Sequence, residues 1–482
     1  MDNRLRAAAV QRRAAYVAAV LLIFLFYMLW PVNFYLARNL KTTWYMMAVP
    51  VLAAGVLYFR RLRDGWEAKL LALYYVWYLL SRILNGDPAL VEDFVYCFDL
   101  LLMLPFFLLG LTLDKAGRRR FLDLFSALVG VFHFVLGGFA LAAYLLRTLF
   151  VNPITGGYLG LEGQTYFTRI NILDVNPNST AFWFMAALLL MVYQFFACKR
   201  KLWRIPIVIA ALVDYLVISV TYTRSVKLAL AVAFGLLAVL LVRQAVAKWN
   251  RALSALVLVL VFAVSAPLVY KSFDLATQGL GSLSVKLLYR LYPDYYANPD
   301  AQEGDEAEAD KKAITSAAYT DPRSEYESVD SLSSSRMTIY KGALYTIQQK
   351  PMTLLRGCLT KDSMTLTNEY GGFKNPKPHY HDFLFQILII TGLPGLLLAM
   401  SFCLLLVFKT VKLFFSPDSR ADLSVKTLCL PVTAVLVYYL FEVSLFTEID
   451  VRVLYSLLFF GLLLGFYKDI DPRRDAVNQA DR

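Results

Sequence analysis

Charge is scarce in this 482-residue sequence: Asp, Glu, Lys and Arg together make up 17% of it. A soluble chain of this length needs roughly a quarter of its residues charged to cover its surface, so an assembly of water-soluble domains is excluded. Cysteine is scarcer still, at five residues, and four of them, Cys97, Cys198, Cys403 and Cys429, lie in or beside apolar runs. Only Cys358 stands in a polar stretch, so neither a disulfide framework nor a zinc quartet can be drawn. Histidine occurs three times, as His133, His379 and His381. A zinc site built on the last two would lack a third ligand nearby, and no metal or other cofactor is expected.

Apolar residues are what the sequence has in excess. They make up 59% of the chain, aromatics 15%, and the mean hydropathy is +0.54. These values exclude a disordered chain and indicate an integral membrane protein. Runs long enough to cross a bilayer core of about 30 Å fall near 16–36, 43–59, 70–84, 95–113, 121–146, 181–198, 205–221, 225–242, 252–270, 382–408, 427–446 and 453–467. The fold class expected is therefore all-α and polytopic, with about 12 transmembrane helices. Arg4, Arg6, Arg12 and Arg13 precede the first run, which is too long for a cleaved signal core and is expected to stay as the first span.

The formal charge of +12 would suit a nucleic-acid partner only if the cations gathered on one face. They sit instead in short clusters between the runs, so no nucleic acid is expected. With the N-terminus inside, one set of short loops and tails holds 27 Lys and Arg and the other set 7. Cytoplasmic loops carry such an excess, so both termini are expected to be cytoplasmic.

Three regions follow: a first bundle of about nine spans at 1–270, a large extracytoplasmic loop at 271–381, and a second bundle of about three spans with a cytoplasmic tail at 382–482. The loop carries 13 Lys and Arg and 14 Asp and Glu. Its tract from Asn298 to Lys312 is acidic and poor in large apolar residues, and is expected to be solvated and without chemistry. From Ser334 to Lys350, Met337, Tyr340, Leu344 and Ile347 recur at helical spacing before Pro351. That predicts an amphipathic helix lying on the membrane, with Arg336 at the edge of its apolar stripe.

Three places carry chemistry. In Lys377-Pro378-His379-Tyr380-His381-Asp382 the large loop re-enters the membrane, so His381 stands at the outer mouth of a span, although a surface histidine would look the same. In Thr221-Tyr222-Thr223-Arg224-Ser225-Val226-Lys227 a short outward turn puts Arg224 at the bilayer edge, where it either snorkels to headgroups or clamps an anion with its planar fork of donors. Arg336 is a second such cation. The outward loop 148–180 adds Arg169-Ile170-Asn171 and then Asn176-Pro177-Asn178-Ser179-Thr180, in which Ser179 or Thr180 could cap the following helix. Within the runs, Arg82, Asp99, His133, Asp214 and Glu442 are costly in lipid and are expected to face protein or a cavity.

Arg224 in an outward turn, Arg336 on a loop helix ending at Lys350-Pro351, Arg356-Gly357, and His381 followed by Gln386, Gly392 and Gly395 resemble the O-antigen ligase and O-antigen polymerase superfamily. The likeness is confined to about 169–180, 221–230 and 334–395. Two departures stand out: Asp382 where the family commonly has Asn, and Val226-Lys227 where a small residue usually follows the arginine turn. The resemblance implies a metal-independent, membrane-embedded glycosyltransferase in the bacterial cytoplasmic membrane. Its donor would be a glycan on undecaprenyl pyrophosphate, and its acceptor a hydroxyl of a glycan, lipid or protein. His381 would then be the base and Arg224 and Arg336 would hold the pyrophosphate, the three converging on one donor. Arg169, His379, Asp382 and Lys227 stand as accessory positions. The alternative is a transporter or flippase for lipid-linked saccharides, which would leave the large outward loop unexplained.

Overall fold

The computed structural model describes residues 65–86, 104, 106–146, 149–151, 158–162, 169–172, 177–291, 336–372, 380, 382–417, 421–442 and 451–470. The runs expected at 16–36 and 43–59, most of 95–113, the acidic tract 298–312, His379 and His381 lie outside the described residues.

The described chain is helical almost throughout. Its principal helices are α1 (Trp66–Leu84), α2 (Lys115–Leu145), α3 (Pro177–Ala197), α4 (Arg204–Val220), α5 (Arg224–Val246), α6 (Arg251–Leu291), α7 (Arg336–Gln349), α8 (Thr353–Arg356), α9 (Thr360–Gly371), α10 (Phe383–Phe414), α11 (Leu423–Lys426), α12 (Cys429–Tyr439) and α13 (Val451–Ile470). Among the described residues seven helices, α2 to α6 with α10 and α13, are long and apolar enough to cross a membrane, and Leu423–Tyr439 forms a shorter apolar stretch. One element adds to the helical expectation. The 148–180 loop carries a small antiparallel sheet of β1 (Leu149–Val151), β2 (Tyr158–Glu162) and β3 (Arg169–Ile172), in that order, with Leu149 opposite Gly160 and Gly160 opposite Asn171.

The chain packs as two units. The first holds the sheet and α2 to α6 with α11. Its centre is α3, whose Ala181, Phe182, Phe184, Met185 and Ala187 are all inaccessible; a helix apolar all round must be covered all round. Helix α2 starts where the Asp114 carboxylate caps the Gly117 N–H at 2.8 Å. It then turns Phe121, Phe125 and Val129 inward at helical spacing. Helix α6 is the opposite case, with Leu256, Val259, Leu260, Val264 and Leu268 each more than half exposed, as lipid-facing side chains are. Its 41 residues span about 61 Å at 1.5 Å per residue, about twice a bilayer core. The helix therefore continues well past residue 270, where hydropathy placed the end of the span.

Of the charged residues of the apolar runs, Arg82, His133, Asp214 and Glu442 are covered as expected, and Asp99 lies outside the described residues. His133 and Asp214 face each other at 3.6 Å between α2 and α4, both fully buried. Arg82 is buried with its guanidinium over the Tyr78 ring, and Glu442 lies 4.0 Å from Arg452.

The second unit holds α1, α7 to α10, most of α12, and α13. At one end of it Glu67 of α1 pairs with Lys409 of α10, whose ammonium also lies over the Tyr467 ring of α13. At the other end Arg356 donates to the carbonyl of Leu84 at 2.8 Å, and Arg336 to that of Phe441 at 3.1 Å. The end of α1, the loop helices and the end of α12 thus share one side.

Candidate functional site

One cluster of candidate residues lies at the start of α5. Tyr222 turns the chain with φ +55°, the single non-glycine residue at positive φ among the described residues. That conformation costs a tyrosine about 1–3 kcal/mol and persists where the surroundings demand it. Next to it Thr223 directs its hydroxyl at the Pro177 carbonyl and the Asn178 amide oxygen, at 3.4 and 3.3 Å. The arginine turn is thereby tied to the first turn of α3. That helix already begins at Pro177, where proline's missing N–H is no loss, so Ser179 and Thr180 lie buried inside it and do not cap it. Arg224 opens α5 half-buried, with no acid in the helix's first turn, so its charge adds to the positive end of the helix dipole. Lys227, one turn on, is 5% exposed and pairs with Asp274 of α6 at 3.3 Å, its ammonium also lying 5.7 Å from the Tyr222 ring. Its role here is to tie α5 to α6.

The other cluster of candidate residues belongs to the second unit and lies around α7. This helix forms where the spacing predicted it and ends before Pro351, but its buried face is Ile339, Gly342, Ala343 and Thr346. Met337 and Leu344, part of the apolar stripe expected against the membrane, are about half exposed. The reason is the neighbour. Thr346, Thr367 of α9 and Tyr380 form a chain of hydroxyls at 3.3 and 3.1 Å, and these buried polar groups are satisfied only if the small-residue face of α7 turns toward α9. Arg336 begins α7, donating to Phe441 and lying 5.8 Å from that residue's ring centroid. Tyr340 stacks on Phe385 at 4.8 Å. Burial above all, with Asp382 and Glu442 adding, holds the Tyr340 phenol above its usual range against the pull of Arg336. It therefore stays a neutral hydroxyl.

His381 is outside the described residues, but the residues on either side of it are held. The N–H of Tyr380 donates to Gln386 at 3.1 Å. Asp382 caps α10, accepting from Leu384 and Phe385 at 2.9 and 3.0 Å. Asparagine, which the resembled family commonly carries here, would accept the same bonds, and the two rank alike as caps. Asp382→Asn should therefore leave the thermal unfolding of the purified protein nearly unchanged, and Asp382→Ala should cost about 1 kcal/mol. Equal losses in both variants would mean that the carboxylate's charge, and not its cap, is what matters.

The two glycines of Gly392-Leu393-Pro394-Gly395 have a structural task. At Gly392 (φ +70°, ψ −175°) α10 breaks, and Pro394 has no N–H to offer the carbonyl four residues back. The carbonyls so released find partners elsewhere in the unit. Cys358 N–H donates to Ile389 at 2.7 Å, Ser81 Oγ to Ile390 at 3.0 Å, and Trp77 Nε1 to Thr391 at 2.7 Å. Ser81 and Asn85 also hold the carbonyl of Arg356. Neither Trp77 nor Ser81 stood out in the sequence, because each is an ordinary residue of an apolar run until its distant acceptor is known.

Of the accessory positions, Lys227 and Asp382 have the structural partners just described, Arg169 begins β3, and His379 lies outside the described residues. Arg336 and Asp382 are neighbours in one unit, while Arg224 and Lys227 belong to the other. Among the described residues no group of three His, Cys, Asp or Glu could hold a metal.

Residues 206–400 match a family model described as O-antigen ligase. The matched stretch contains Arg224, Arg336, His381 and the Gly392 break. No curated protein and no solved structure matches the chain.

Proposed function

We propose, from the match of residues 206–400 to the O-antigen ligase family model, that the chain transfers a glycan from undecaprenyl pyrophosphate to an acceptor hydroxyl at the outer face of the bacterial cytoplasmic membrane. One observation carries the reading: the family match falls on the stretch that holds Arg224, Arg336 and His381. In the proposed reaction His381 takes the proton of the acceptor hydroxyl, whose oxygen attacks the anomeric carbon. The sugar–phosphate bond breaks, and undecaprenyl pyrophosphate leaves with the electron pair. Negative charge collects on the leaving pyrophosphate as that bond lengthens, and Arg224 and Arg336 stabilise it where it develops. The arginine charges replace a divalent cation in this scheme, so no metal is required. Twelve spans, both termini inside and residues 271–381 outside complete the proposed topology, which puts donor and catalytic groups on one side.

The test is transfer in proteoliposomes supplied with an undecaprenyl-pyrophosphate oligosaccharide and an acceptor glycan. Transfer should occur and should survive a chelator. Arg224→Lys and Arg336→Lys should each lose about 10- to 100-fold, because lysine keeps the charge but not the paired charge-assisted bonds, worth about 1.5–3 kcal/mol each. Movement of the lipid-linked saccharide across the bilayer with no new glycosidic bond would instead establish the transporter alternative.

A further inference from the structure

Arg336 is held by an acceptor that has no side chain of its own, the carbonyl of Phe441. Where that carbonyl points is decided by the turn that follows α12, and the turn is held in place from α13. We infer that Arg452 is a positioning residue for Arg336, acting through this turn. The inference rests on the reading that Arg336 binds the donor pyrophosphate.

The geometry runs as a chain of four contacts. Phe441 N–H donates to the Tyr438 carbonyl at 3.0 Å and Glu442 N–H to that of Tyr439 at 3.4 Å, which closes the turn. Arg452 Nη1 donates to the Tyr438 hydroxyl at 3.0 Å, and its guanidinium faces the Glu442 carboxylate at 4.0 Å. Arg452 thus touches both Tyr438, in α12, and Glu442, just past it, and Phe441 lies between those two in sequence. Ser456, one turn along α13, adds a second tie, placing its hydroxyl 3.2 Å from that of Tyr439 while donating to the Arg452 carbonyl at 2.6 Å. Tyr438 is fully buried, Glu442 4% exposed and Arg452 9% exposed. A covered ion pair adds little stability over an apolar replacement, yet removing one partner leaves the other charge uncompensated. The physical use of such a pair is to hold a geometry. Here the geometry held is the carbonyl that aims the Arg336 fork, and a pre-aimed fork costs the donor less to bind.

The test uses the full-length protein in nanodiscs, with undecaprenyl pyrophosphate as the binding probe and transfer kinetics beside it. Arg452→Gln should weaken binding of the probe about 10-fold and raise the donor KM with the acceptor KM unchanged, a split that a general loss of packing would not produce. Arg452→Lys should recover part of the loss, since an ammonium can face Glu442 but cannot also keep the guanidinium's bond to Tyr438. In the double variant with Arg336→Gln, the second substitution should add nothing, because both act on one contact. Normal probe binding by Arg452→Gln, or an additive double variant, would overturn the inference. Should Arg452→Gln not fold, Tyr438→Phe decides. It keeps the ring and removes only the hydroxyl, and it should weaken binding about 3-fold, in line with the net worth of one hydrogen bond; unchanged affinity overturns the inference. Arg336→Gln alone separates the two claims. If it binds the probe normally, the pyrophosphate role itself fails; if it loses binding and Arg452→Gln does not, only the positioning role fails.

Discussion

Transfer by the His381→Ala protein should fall about 10²- to 10⁴-fold, the range a positioned general base contributes, while the lipid-linked donor still binds with little change. A base acts on the proton in flight and contributes chiefly to the transition state, so single-turnover rates and donor affinity must part company in this variant. Near-normal turnover by His381→Ala would remove the histidine from the mechanism. Tyr380 and Asp382, the residues on each side, are both tied to the first turns of α10 through Gln386 and the capped N–H groups.

Gly357→Ala should abolish accumulation of folded protein, the largest stability effect expected in the second unit. Gly357 has φ +78° and ψ −174°, a region essentially closed to residues with a Cβ. A methyl group there would also overlap the carbonyl of Ile390. That carbonyl cannot retreat, because the break at Gly392 has aimed it at Ser81, and the next one along is bound by Trp77. Strain of about 1–3 kcal/mol therefore adds to a backbone collision and to disturbed buried hydrogen bonds, and a total above about 4 kcal/mol belongs to the exceptional class of substitutions. Gly372→Ala supplies the comparison. It has φ +57° and ψ +32° with open space around it, so it should cost only about 1 kcal/mol. Folded yield and thermal unfolding in detergent measure both. A Gly357→Ala protein that melts with the wild type would show that the contact between the Arg356-Gly357 turn and the broken helix does not hold the unit together.

Sequence alone settled whatever depends on near neighbours along the chain. The apolar runs set the class of protein, because a helix that crosses lipid must satisfy its own backbone and present apolar side chains. Spacing and Pro351 set the extent of α7, and the apolar run opening at 382 marked the start of α10. Arg224 and His381 could be singled out because a cation and a histidine at the ends of apolar runs are informative, and Arg336 because it stands at the edge of the loop helix's apolar stripe. Tertiary structure decided everything that depends on a partner far away in sequence. Which face of α7 is buried follows from the hydroxyls of Thr367 and Tyr380, which only packing brings to Thr346. The carbonyls freed at Gly392 are met by Trp77 and Ser81, more than 300 residues earlier. Strands of three to five residues are too short to show a period, so the sheet in the 148–180 loop left no mark on the hydropathy. Arg336 is aimed by a backbone carbonyl, a group every residue carries, so no residue type could announce that Phe441 holds it or that Arg452 holds Phe441.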